Sequence, residues 1–235
     1  MEENRREWMR AIEQTFVVRN PKQKLATFGS TTISYYVVTE PIYQEMAPGE
    51  EEGVIRTGKV VAARPAVVTP TYALNLQGFS PEAYEYLRHL AREYGPGSPG
   101  ILYQYSNEAD KIEIVKGSPS EIAERISKDL ELRQENLSVV MVGVDELWDI
   151  ALLKFMYEFT SSSARQNVQE LQGQGLLDAQ PHLGGVPRAA AHQIERLFIE
   201  VEQGANPDLL KRELDRWGLF GYYETRFLNL FRKHL

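Results

Sequence analysis

The sequence predicts an α+β fold: a mixed sheet made of antiparallel hairpins plus one parallel βαβ pair, followed by a helical C-terminal region. Three observations predict it. Ser138-Val-Val-Met-Val-Gly-Val144 is a short apolar run rich in β-branched residues, the pattern of a strand buried on both faces. It leads without a break into an apolar helix, where Leu147, Trp148, Ala151, Phe155 and Phe159 recur at helical spacing with Ile150, Leu152, Leu153 and Met156 beside them. Upstream, short stretches of period two alternate with glycine and proline, whereas the chain after Pro187 is helical in period.

Taken in order, residues 2–16 read as an amphipathic helix with Trp8, Ile12 and Phe16 (or Thr15) on one side, ended by Asn20-Pro21. Leu25 to Val37 reads as a hairpin turning at Gly29, and Pro41 closes its second strand. Residues 47–53 form an acidic loop, and Val54–Ala62 reads as a second hairpin turning at Thr57-Gly58. Ala66–Thr69, bracketed by Pro65 and Pro70, is at most a short edge strand. Ser80-Pro81 starts a helix that Gly95-Pro96-Gly97 stops. Ile101–Ser106 and Lys111–Val115 read as a hairpin around Asn107–Asp110.

Ser118-Pro119, with Glu121 completing a capping box, opens a helix carrying Ile122, Ile126 and Leu130 on its apolar stripe. Strand, helix and the strand at Ser138 then make a βαβ unit, which implies that the strands at Lys111 and Ser138 run parallel. Ser161-Ser162-Ser163 reads as a break in the long helix. The glycine-rich stretch 173–185 reads as the linker, giving an α+β part over residues 1–175 and a helical part over 186–235 that can share one core. Helices follow from Pro187, from Asn206-Pro207 and from about Tyr222, the last with Tyr223, Phe227 and Phe231 at four-residue spacing.

Composition bounds the function classes. The 235 residues are 43% hydrophobic and 25% charged, an ordinary globular balance for a chain long enough to bury a core without staples. The net charge of −7 is spread evenly: residues 1–117 carry 13 basic and 15 acidic side chains, and 118–235 carry 13 and 18. Neither half is a polycation, so nucleic acid is not the expected partner. With no cysteine, disulfides, thiolate zinc sites and cysteine nucleophiles are excluded. The first residues are charged where a secretory leader is apolar, and no apolar run nears the roughly 20 residues of a membrane helix. A cytoplasmic chain with no membrane partner is expected.

No motif names a chemistry. Gly-x-Ser-x-Gly is absent, Gly173-Gln-Gly175 lacks the third glycine of the dinucleotide fingerprint, and His89, His182, His192 and His234 stand apart. Asp145, Glu146 and Asp149 crowd the strand-to-helix junction, where carboxylates could hold Mg²⁺. The plainer reading is that Asp145 caps the helix and the other two complement its dipole. Arg56, Lys59 and Arg64, with Tyr72, Tyr103 and Tyr105, combine cations and aromatics as nucleotide or protein-partner sites do. Solvated cations beside a half-exposed tyrosine face give the same pattern. Trp217, Phe220, Tyr223, Phe227 and Phe231 either close over the central helix or meet a partner.

Two functions follow from this. The first is a binding or assembly protein that associates with a protein partner or with itself and needs no cofactor. The second is an enzyme acting on a phosphorylated or nucleotide substrate, with Asp145 and Asp149 holding Mg²⁺ and Arg56, Lys59 or Arg64 meeting the anion.

Overall fold

A computed structural model describes residues 2–45, 50–69, 88–89, 91–95 and 99–232. By contact density the chain divides into two units, 1–64 with 103–167 and 65–102 with 168–235, the division falling within one helix.

The first unit holds a five-stranded mixed sheet in the order β1-β7-β2-β3-β6. Its strands are β1 (Phe16–Arg19), β2 (Thr31–Thr39), β3 (Glu52–Ala62), β6 (Tyr105–Lys116) and β7 (Ser138–Gly143). β7 is sandwiched between β1, antiparallel to it, and β2, parallel to it. Both faces of β7 are covered, which is why its sequence is apolar without alternation. Val139 and Met141 join Ile33, Tyr35, Val37, Val60 and Ala62 on one face. Val140 and Val142 join Val38 and Ile55 on the other.

The first face is covered by α3 (Trp148–Gly173), through Ala151, Leu152, Phe155, Met156 and Phe159. Only one side of this helix is buried, since Leu153 is 66% and Tyr157 77% exposed. The opposite sheet face is covered by α2 (Pro119–Leu132), through Ile122, Ala123 and Leu130, with Ile126 half-buried. The capping box of α2 is formed as the sequence implies: Glu121 N–H donates to Ser118 Oγ at 3.4 Å, and Ser118 N–H donates to Glu121 Oε2 at 3.3 Å. Among the described side chains of α1 (Glu2–Gln14) Ala11 is buried, with Thr15 just beyond; Ile12 and Phe16 are exposed, and the Trp8 side chain lies outside the described ones.

Several expected turns are absent. β2 starts at Thr31 and its hairpin partner is β3, so the turn at Gly29 does not form. The preceding segment is held instead by α3: Leu25 N–H donates to Ser163 Oγ at 3.2 Å, and Asn167 Nδ2 donates to the Leu25 carbonyl at 3.1 Å. Ser161, Ser162 and Ser163 do not break α3, because each hydroxyl donates to a carbonyl three or four residues back at 2.8–2.9 Å.

β3 and β6 are each continuous where a hairpin was expected. Their register explains both errors: Arg56 pairs with Ile112, but Gly58 pairs with Ala109. Asp110 and Lys111 therefore both oppose Thr57, a β-bulge with the extra residue in β6. Turn-like residues on two strands, Thr57-Gly58 and Asn107–Asp110, meet at one bulge. Gly58 is required there, since a Cβ would lie 2.6 Å from the Glu108 carbonyl and closer still to the Tyr35 hydroxyl. The mixed sheet with one parallel pair is as the sequence predicts, but the pair is not the expected one. β6 and β7 run the same way but are separated by β2 and β3, so the parallel partner of β7 is β2.

In the second unit, β4 (Ala66–Val68) pairs antiparallel with β5 (Gly100–Leu102). Val67 and Ile101 of this ladder pack with Leu171, Leu176 and Ala189. Within the glycine-rich stretch, β8 (Ala179–Gln180) pairs with β9 (Val186–Pro187) around Pro181–Leu183. Gly184 and Gly185 hold left-handed backbone there, at φ 67° and 83°. Helices α4 (Arg188–Glu202), α5 (Asp208–Arg216) and α6 (Phe220–Arg232) close a core of Ile194, Leu197, Phe198, Leu210, Leu214, Leu219 and Tyr223. The helix start expected at Ser80-Pro81 lies outside the described residues.

Candidate functional site

The sheet brings part of the acidic junction and part of the basic strand together. β2 and β3 place Thr39 and Arg56 on the face that α3 covers, because Val37 opposes Arg56 and Thr39 opposes Val54. Asp145 follows β7 at the same end of the sheet. Its Oδ1 accepts from Arg56 Nη1 at 2.6 Å and from Thr39 Oγ1 at 2.6 Å. The guanidinium lies 5.8 Å from the ring centre of Trp148, which stacks on Tyr35 at 6.3 Å.

The Arg56 and Asp145 side chains are 16% and 19% exposed, so water screens the pair only partly. Asp145 is thus not the helix cap, since α3 begins three residues later at Trp148. Its carboxylate bridges β2 and β3. Asp149, in the first turn of α3, is exposed. No group of three or more histidine, aspartate or glutamate side chains among the described residues is arranged to hold a metal ion.

The other expected site residues are dispersed. Lys59 is exposed and lines the opposite face of the sheet from Arg56. Arg64 lies 5.9 Å from the centre of the Phe28 ring. Tyr103 and Tyr105 stack at 6.4 Å with 9° between their planes, and the Tyr105 hydroxyl bonds with that of Thr160. Burial, and then the neighbouring Tyr105, push the Tyr103 hydroxyl up to about 12. Burial likewise raises Tyr35, against the lowering effect of the nearby Asn107 side chain. Tyr72 lies outside the described residues.

In the C-terminal helices, Tyr223 and Phe227 are buried in the three-helix core, with Trp217 and Phe220 packed partly buried against it. Phe231 is 48% exposed. Tyr223 Oη donates to Glu195 Oε1 at 3.1 Å, and burial followed by that carboxylate pushes its hydroxyl up to about 12. Within the second unit the cluster packs with Leu183, Val186, Ile194, Leu197, Leu210 and Leu214. His89 pairs with Glu93 at 3.2 Å, and His182 and His192 are exposed; His234 lies outside the described residues.

A feature absent from the sequence reading is the outer edge of β6. Eleven of its twelve residues are exposed, Val115 being the exception. Among the described residues no strand pairs with its outer side. Ile112 and Ile114 are 67% and 57% exposed, on the face shared with Arg56 and Val54. On the other face lies a groove of about 700 Å³ between β6, β3, β2 and α2. Tyr36, Ile55, Ile126 and Leu130 are among its lining residues, with Lys59, Glu108, Asp110, Lys111, Glu113, Asp129 and Arg133 supplying its charges. Two of these cations are already paired, Lys111 with Glu113 at 2.8 Å and Arg133 with Asp129 at 2.9 Å. Such an arrangement offers a row of backbone hydrogen-bonding groups flanked by two chemically distinct side-chain surfaces. The alternation of charge with isoleucine from Lys111 to Ile114 was the available signal, but the turn-like residues before it drew the reading toward a hairpin. No family model, curated protein or solved structure matches the chain.

Proposed function

We propose that this chain is a binding and assembly protein whose working surface is the outer edge of β6, which takes up an extended segment of a partner as a further strand. The observation that carries the reading is the twelve-residue edge itself, exposed along nearly its whole length. An unpaired strand edge is a template for another strand: main-chain hydrogen bonds supply affinity, and flanking pockets for alternate side chains supply selectivity. Here the groove beside α2 receives one set of partner side chains, and Ile112 and Ile114 receive the other.

Covering the exposed parts of the two isoleucines contributes roughly 2–3 kcal/mol, offset by the ordering of the incoming segment. Glu108, Asp110, Lys111, Glu113 and Lys116, together with the bulge, disfavour arbitrary strands at the edge. The magnesium-enzyme alternative has no comparable support, because Asp145 is engaged by Arg56 and Thr39.

A library of displayed twelve-residue peptides selected on the folded chain tests the reading. Selected peptides are expected to slow amide exchange along β6 and to lose binding to an Ile112→Lys variant. Peptides that leave β6 exchange unchanged, or a selection that yields none, would overturn it.

A further inference from the structure

We infer that the segment taken up at this edge is the β6 strand of a second copy, paired antiparallel about a two-fold axis at Ile112; the inference rests on the edge-binding reading above. A two-fold axis normal to a sheet returns each side chain to its own face, so the axis must pass where a residue meets itself. That requirement leaves few registers, and charge separates them. Axes at Asp110, Lys111 or Glu113 set like charges against each other, which is destabilising. An axis at Ile114 sets Glu113 against Val115 and Ile112 against Lys116, with no opposite charges matched.

An axis at Ile112 does both things at once. Ile112 meets itself, and Lys111 of each copy meets Glu113 of the other, so the lysine gains a second carboxylate beside the one 2.8 Å away in its own chain. The bulge then fits rather than obstructs. Asp110 and Lys111 together occupy one step of the ladder, so the next step brings Ala109 opposite Ile114 of the other copy. Ala109, Ile112 and Ile114 share one sheet face, fixed by their partners Gly58, Arg56 and Val54. The apolar stripe is therefore continuous across the axis, and two five-stranded sheets become one.

The chain has no cysteine, so Ile112→Cys introduces a single thiol at the axis, at a position 67% exposed where the change is tolerated. Facing residues in an antiparallel pair lie about 4.5–5.5 Å apart between Cα atoms, within disulfide reach. The variant is expected to oxidise to a covalent dimer at least about tenfold faster than Ser106→Cys or Lys116→Cys, whose symmetry mates lie far from the axis. Sedimentation over a concentration series reaching the millimolar range is expected to show a dimer. Lys111→Glu should abolish it, and Lys111→Glu combined with Glu113→Lys should restore it. A monomer throughout, or a dimer in which Ile112→Cys crosslinks no faster than the controls, overturns the inference. In that case β6 amides protected by a selected peptide would leave the edge-binding reading standing, and unprotected amides would remove both.

Discussion

The Arg56–Asp145 contact decides whether the carboxylate at the strand end is a structural partner or a group free for a ligand, and a double-mutant cycle measures it. At 2.6 Å between Nη1 and Oδ1, with the two side chains 16% and 19% exposed, the pair lies between two regimes. Exposed pairs contribute about 0.2–1 kcal/mol, and removing one partner from a fully buried pair costs about 3–5 kcal/mol. Thr39 Oγ1, itself 0% exposed as a residue, donates to the same oxygen, and Trp148 stacks near the guanidinium, so water replaces little of what is lost. Asp145→Ala should therefore destabilise by roughly 2 kcal/mol, with a coupling to Arg56→Met of about 1–2 kcal/mol. Urea unfolding of the four proteins gives the cycle, and the coupling should fall only modestly in high salt because the pair is partly withdrawn from water. Mg²⁺ should leave the Tm of the parent protein unchanged. A coupling below about 0.5 kcal/mol, or a clear magnesium stabilisation lost in Asp145→Ala, would refute the structural assignment of this acid.

Three further outcomes are expected. Gly58→Ala should destabilise by about 1–3 kcal/mol, because the added Cβ meets the buried Tyr35 hydroxyl and the Glu108 carbonyl at the bulge; an unchanged urea midpoint would contradict that. Ser118→Ala should cost about 1 kcal/mol by thermal unfolding, through loss of the hydroxyl that accepts from Glu121 N–H. Tyr223 is raised from 10.0 to about 12 in the folded chain, so its contribution is fully present below pH 10 and lost as pH rises toward about 12. Tm should fall across that window, and the fall should be smaller in Tyr223→Phe, as read from thermal scans alongside tyrosinate absorbance.

What the sequence made legible is what local chemistry determines. β7 was recognisable because burial on both faces removes polar residues from all its positions, and α2 because Ser118, Pro119 and Glu121 specify its first turn within four residues. The three C-terminal helices were recognisable from their apolar stripes and from Gly204 and Gly218, both at positive φ. The turns at Thr57-Gly58 and Asn107–Asp110 were misplaced because a bulge and a turn select the same small and polar residues. The serine run in α3 was misread because its hydroxyls satisfy their own helix or fasten residues 24–25, contacts made more than a hundred positions apart. The candidate edge was illegible for a similar reason. Whether a strand is central or peripheral depends on strand order, and order is settled by pairings distant in sequence, not by the strand's own residues.

The insertion of β7 between β1 and β2 sets a schedule for folding. Phe16 pairs with Val142 and Ser34 with Ser138, so the two N-terminal strands are joined only through a segment made more than a hundred residues later. During synthesis β2, β3 and β6 can zip together as they emerge, but β1 has no sheet neighbour until Gly143 has been made. Until then one side of β2 stands as open as the outer side of β6, with Val37 and Val38, both 0% exposed in the finished fold, in contact with water. Closing such long-range pairings is slow and leaves the intermediate prone to association. In the nascent chain the strand edge that must find its own β7 and the edge proposed for a partner are open together, and the arrival of residues 138–143 is the event that tells them apart.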